Sequence, residues 1–121
     1  MSAITHIGTV VVPVADQDAA LEFYVGTLGF ETRIDAPFAD GQRWIEVAPP
    51  GAQTSIALVP RENAPAGVEV SFATRDAAAD HGELRAQGVD ADPELIRMDY
   101  VPPMFTFRDR DGNRLRMVER D

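Results

Sequence analysis

Apolar residues in this chain fall into short runs of two rhythms. The run "ITHIGTVVVPVA" (residues 4 to 15) is dense in β-branched side chains and reads as a strand buried on both faces. Pro13 sits near its end, where a missing ladder donor does least harm. Asp16 then opens a helix as its N-cap: in "DQDAALEFYVGTLG", Ala19, Ala20, Phe23, Tyr24 and Leu28 recur at helical spacing, and Gly29 supplies the stop. Three strands are predicted next: "FETRIDA" from Phe30, "RWIEVA" from Arg43 and "TSIALV" from Thr54, with "PPGAQ" as the turn between the last two.

Residues 60 to 67, "PRENAPAG", lack apolar periodicity and read as a connector. The pattern then restarts. "VEVSFAT" is a strand, Asp76 a second N-cap, and "DAAADHGELRAQG" a helix that stops at Gly88. "VDADPELI", "MFTFR" and "RLRMVE" follow as strands, the last two joined by "DRDGN", whose Asp-Gly pair is a hairpin signal. The expected fold is therefore α+β, a single domain over residues 1–121 built from two βαβββ modules, 1–60 and 67–121. Half a chain of about sixty residues covers its own sheet poorly, so a homodimer is expected.

Composition narrows the function. Twenty acidic against eleven basic residues give a net charge of -9, which repels a phosphate backbone and sets nucleic acid aside. No apolar stretch is long enough to cross a bilayer, and the N-terminus lacks the cationic start of a secretory signal, so a cytoplasmic protein with no membrane partner is expected. The absence of cysteine excludes disulfides, thiolate metal sites and cysteine nucleophiles. A calcium loop at "DRDGNRLRMVER" fails, because Arg114 and Arg120 stand where it needs a glycine and an acid. No Ser-His-Asp order, phosphate loop or dinucleotide fingerprint is present.

Three segments, "VPVADQDAALEFYVGTLGFE", "FATRDAAADHGELRAQGV" and "FRDRDGNRLRMVE", together resemble the vicinal oxygen chelate superfamily, which includes glyoxalase I, extradiol dioxygenases, fosfomycin-resistance transferases and bleomycin-binding proteins. The resemblance covers both halves. It implies mixed sheets curling around a shared cavity and, in the enzymes, one divalent metal held by the first and last strand of each module. The ligand positions it implies are Thr9, seven residues before Asp16; Glu69, seven before Asp76; Arg116, four after Gly112; and, less exactly counted, Ala57. Only Glu69 is a plausible ligand, and a permanently protonated arginine repels a cation. No metal or other cofactor is therefore expected; a divalent metal is the alternative.

Arg116 and Glu69 would instead be neighbours on adjacent strands and pair, either merely neutralising the site or presenting polar groups to a ligand. The ligand-binding candidates are Thr9, Trp44, Ala57, Glu69, Met98, Tyr100, Met104, Phe105 and Arg116. The large side chains among them suit a flat or apolar molecule, or belong to the core. The loop "RMDYVPPM" (97–104) is the segment expected to decide the ligand. His6, an odd offset from Thr9, is expected to face away from the site, and His81 to pack on its helix. Two functions follow: a small-molecule binding or sequestering protein, or a glyoxalase-like lyase or isomerase or an extradiol-type dioxygenase with a degenerate or displaced metal site. In a metal-free enzyme, Glu69 is the candidate base.

Overall fold

The computed structural model describes residues 6–37, 41–63, 68–99 and 101–120. The chain divides into two compact units, Met1–Ala66 and Gly67–Asp121. Among the described residues the first holds β1 (Thr9–Val14), α1 (Gln17–Leu21) running on into a π-helical segment (Glu22–Thr27), β2 (Glu31–Pro37), β3 (Arg43–Ala48), β4 (Ser55–Pro60) and a 3-10 turn (Arg61–Asn63). Its sheet has the order β1-β4-β3-β2. β1 runs parallel to β4, and the other neighbours are antiparallel.

The side chains of this sheet sort by alternation into two faces. Arg43, Ile45 and Val47 share one face, and α1 lies on it: Arg43 donates from Nη1 to Asp18 at 2.8 Å, and Gln17 donates from Nε2 to the carbonyls of Arg43 and Leu58 at 2.7 and 2.9 Å. Ile45, Val47, Leu58, Val12 and Val14 are buried together with Phe23 and Tyr24 from the helix. Asp16 caps α1 by accepting from the Ala19 amide at 3.1 Å, as its position predicted. The helix is not uniform, however. The Leu28 amide donates to Phe23 O at 3.0 Å, an i→i+5 bond, and this wider turn lets the adjacent residues Phe23 and Tyr24 both point inward with ring centroids 5.3 Å apart. β2 is an edge strand exposed along its whole length, with a bulge between Thr32 and Ile34.

The second unit holds β5 (Glu69–Thr74), α2 (Ala77–Ala86), β6 (Asp90–Ala91), β7 (Ile96–Met98), β8 (Val101–Arg108) and β9 (Arg114–Glu119), in the order β5-β9-β8-β6 with β7 also on β8. β5 is parallel to β9. Asp76 caps α2 through the Ala79 amide, and Gly88, at φ +83°, ends it. Phe105, Phe107 and Leu115 are buried on the helix-covered face, where His81 of α2 meets Phe105 edge-on at 5.0 Å. "VDADPELI" is not one strand as expected. It divides into β6 and β7 around Pro93, which has no amide hydrogen to continue a ladder. Most of "RMDYVPPM" is likewise strand rather than loop, since Arg97 and Met98 belong to β7 and Val101 to Met104 to β8.

Two forked ion pairs tie strands near the sheet margins. Arg43 holds Asp35 at 3.0 Å and Arg108 holds Asp90 at 2.9 Å, and hydrogen bonding to each guanidinium keeps that carboxyl below the usual carboxylate range. Folding lowers both values, so these ties contribute at neutral pH and are lost as pH falls through them.

The "DRDGN" hairpin is built on Asp109. Its nearly buried carboxylate accepts from the amides of Asp111 and Asn113, both at 2.9 Å, and from Asn113 Nδ2 at 2.8 Å, while Gly112 takes φ +79°. Replacing Asp109 by Ala leaves those donors without their acceptor and should cost about 2 kcal/mol. The expected reading is a lower denaturant midpoint at unchanged slope; a loss under about 0.5 kcal/mol would show that solvent takes over the carboxylate's role.

Candidate functional site

In each unit one sheet face carries the helix, and the other carries several of the residues singled out by sequence, among them Thr9, Trp44 and Ala57 in the first unit and Glu69, Met104 and Arg116 in the second. On the second unit this second face holds Glu69, Ser71, Met104, Thr106 and Arg116, with Arg116 opposite both Ser71 and Thr106. Glu69 lies opposite Arg114, two residues back on β9, so the contact with Arg116 runs diagonally across the parallel pair. Arg116 Nη2 stands 2.9 Å from Glu69 Oε1. The two side chains meet as expected. They are 36% and 41% exposed, so the coupling falls in the range of partly solvated pairs.

On the first unit the corresponding face is organised by a carboxylate that the sequence reading passed over. Glu46 of β3 accepts from Trp44 Nε1 at 2.7 Å and from Ser55 Oγ at 2.6 Å. Ser55 Oγ in turn lies 3.5 Å from Thr9 Oγ1, its neighbour across the β1–β4 pair. Ala57, fully buried, sits opposite Glu46. Thr9 and Ala57 are thus on one face with Trp44, Glu46 and Ser55. Period-two alternation in "RWIEVA" does place Trp44 and Glu46 on one side, but only the pairing with β4 identifies that side as the one carrying Thr9.

These residues do not fit a divalent metal. Thr9 offers a hydroxyl beside Ser55, Ala57 offers no donor, and the carboxylate of Glu69 is engaged by a guanidinium. Among the described residues no three His, Asp or Glu side chains converge as a metal-holding group.

The remaining candidates separate. Met104 is half-buried on the Arg116 side of β8, and Met98 is 62% exposed opposite Val101. Phe105 is corrected: it alternates to the helix-covered face and is fully buried against His81, so it belongs to the core. Tyr100 lies outside the described residues. His6 is exposed ahead of β1. His81 packs as expected, with Nε2 2.8 Å from the Asp92 carbonyl.

The model of the Glyoxalase/Bleomycin resistance protein/Dioxygenase superfamily matches residues 4–117. The chain belongs to this superfamily. Its fold is that of TnmS3, an antibiotic binding protein from Streptomyces sp. CB03234, to which it is 35% identical at a TM-score of 0.88 with both chains covered in full. A superfamily member from Sphaerobacter thermophilus DSM 20745 is 33% identical at a TM-score of 0.86, over 97% of this chain and 98% of that one. Among curated relatives, YetH of Bacillus subtilis (strain 168), an uncharacterized protein, is 31% identical over 91% of this chain and 94% of its own. In this superfamily member, then, Glu69 and Arg116 form an ion pair on the face of the second sheet away from the helix.

Arg116→Ala, Glu69→Gln and the double variant test that pair. The effects should be non-additive by about 0.5–1 kcal/mol in low salt, and the coupling should shrink as ionic strength rises. Strict additivity in denaturant melts would mean that the two side chains do not meet in solution.

Proposed function

We propose that the protein is a small-molecule binding protein, working as a cytoplasmic homodimer without a catalytic metal. The observation that carries this reading is full-length similarity to TnmS3, an antibiotic binding protein, in a chain whose ligand positions hold Thr9, Ala57 and an Arg116–Glu69 pair. Under it, Glu69 and Arg116 offer leftover acceptors and donors to polar groups of the ligand. Trp44 and Met104 offer adaptable apolar contact. Association of two copies is supported by large apolar side chains left exposed on the single chain, among them Ile34, Ile96 and Met98. No helix among the described residues is long and apolar enough to cross a membrane.

Native mass spectrometry with elemental analysis tests the proposal on protein purified without chelator. The expected result is a species of twice the 13.2 kDa chain mass, carrying an organic molecule and no stoichiometric metal, and it should keep that molecule after dialysis against a chelator. A bound Zn, Ni, Fe or Mn that is lost on Glu69→Ala would overturn the metal-free reading and favour the lyase, isomerase or dioxygenase alternative.

A further inference from the structure

Glu46 differs both from the carboxylates that meet a guanidinium and from Asp16, Asp76 and Asp109, which accept from backbone amides of their own turns. Asp18 and Asp35 are paired with Arg43, Asp90 and Asp92 with Arg108, Glu31 with Arg33, and Glu69 with Arg116. Glu46 is held by two neutral donors, the indole of Trp44 and the hydroxyl of Ser55, and among the described residues no cation lies against it. Its neighbours across the sheet are apolar, Ala57 on β4 and Ile34 on β2. Ile34 is 41% exposed, whereas Ala57 is fully buried.

A half-buried carboxylate among apolar side chains is costly unless its charge is met. Two neutral hydrogen bonds fix its direction without cancelling the charge, and about two of its four acceptor positions remain open. A strand tie needs no charge, because a neutral amide also accepts from Ser55. The charge therefore calls for another explanation. Resting on the small-molecule reading above, we propose that Glu46 recognises a protonated amine borne by a flat aromatic ligand that lies against Trp44 and Ile34. The amine would donate to the open carboxylate positions in a charge-assisted bond, and the aromatic body would cover the apolar surround.

Trp44 is the single tryptophan of the chain, so one indole N–H resonance reports on the group that holds Glu46. Three probes share a naphthalene body: 1-naphthylmethylamine, 1-naphthylmethanol and 1-naphthoate. Titrated into the full-length 15N-labelled protein, the amine should bind about tenfold or more tightly than the alcohol, shift the indole resonance, and weaken with salt; the carboxylate should bind least. Glu46→Gln should remove the preference for the amine while leaving the alcohol's affinity within about twofold. Ser55→Ala, which keeps the charge, should retain the preference, whereas a mere strand tie predicts that both variants behave alike.

Equal affinity for all three probes would overturn amine recognition and leave small-molecule binding standing. Amine binding that survives Glu46→Gln unchanged would do the same. Failure of all three to perturb any resonance would also overturn it, with the molecule retained in native mass spectrometry deciding the broader reading separately. Should Glu46→Gln lose the dispersed spectrum of a folded chain, the ranking of the three probes on the native protein decides by itself.

Discussion

The arrangement rests on the parallel pairing of the first and last strand of each unit. Joining β1 to β4 and β5 to β9 brings together residues more than forty positions apart, Thr9 beside Ser55 and Glu69 near Arg116. A parallel pair cannot be closed by a tight turn, so the chain must leave and return by a longer path, and in each unit that path includes a helix. The helix covers one face of the sheet it helps to close. The other face is left for polar side chains, and there each unit places a carboxylate.

The two units hold that carboxylate by different means. In the second, Glu69 meets a guanidinium and the charges largely cancel. In the first, Glu46 meets two dipoles, which orient it and leave its charge in place. Dipoles and cations both satisfy hydrogen-bonding capacity, yet only a cation removes the field that a ligand would feel. The guanidinium of Arg116 thus leaves the Glu69 face locally neutral, while the Glu46 face stays anionic.

What could be read from the sequence was what local chemistry decides. Asp16 and Asp76 announce their helices by side-chain capping, Gly88 and Gly112 mark backbone of positive φ, and Asp-Gly announces the β8–β9 hairpin. The Glu69–Arg116 contact was accessible through family spacing combined with strand adjacency. What escaped depends on partners. Alternation along β8 says that Met104 and Phe105 face opposite ways, but not which of them faces the helix, so both stand as candidates until the packing of Phe105 on His81 assigns it to the core. Glu46 drew no notice because its role needs Ser55 of a neighbouring strand. The π-helical turn left a fainter trace in Phe23 and Tyr24, two adjacent large side chains that a regular α-helix does not bury equally well.

β2, exposed from end to end on the margin of its sheet, presents unpaired backbone groups to any strand that drifts past. Its composition works against capture. Glu31, Arg33 and Asp35 put charges along it, Pro37 removes an amide donor at its end, and the bulge at Arg33 interrupts the regular spacing that an added strand would need to match. Arg33 is itself turned back onto the loop before β4, donating to the carbonyls of Ala52 and Pro49 at 2.9 and 3.1 Å. This margin of the sheet is thereby poorly suited to recruit a further strand, which works against growth edge to edge into fibres.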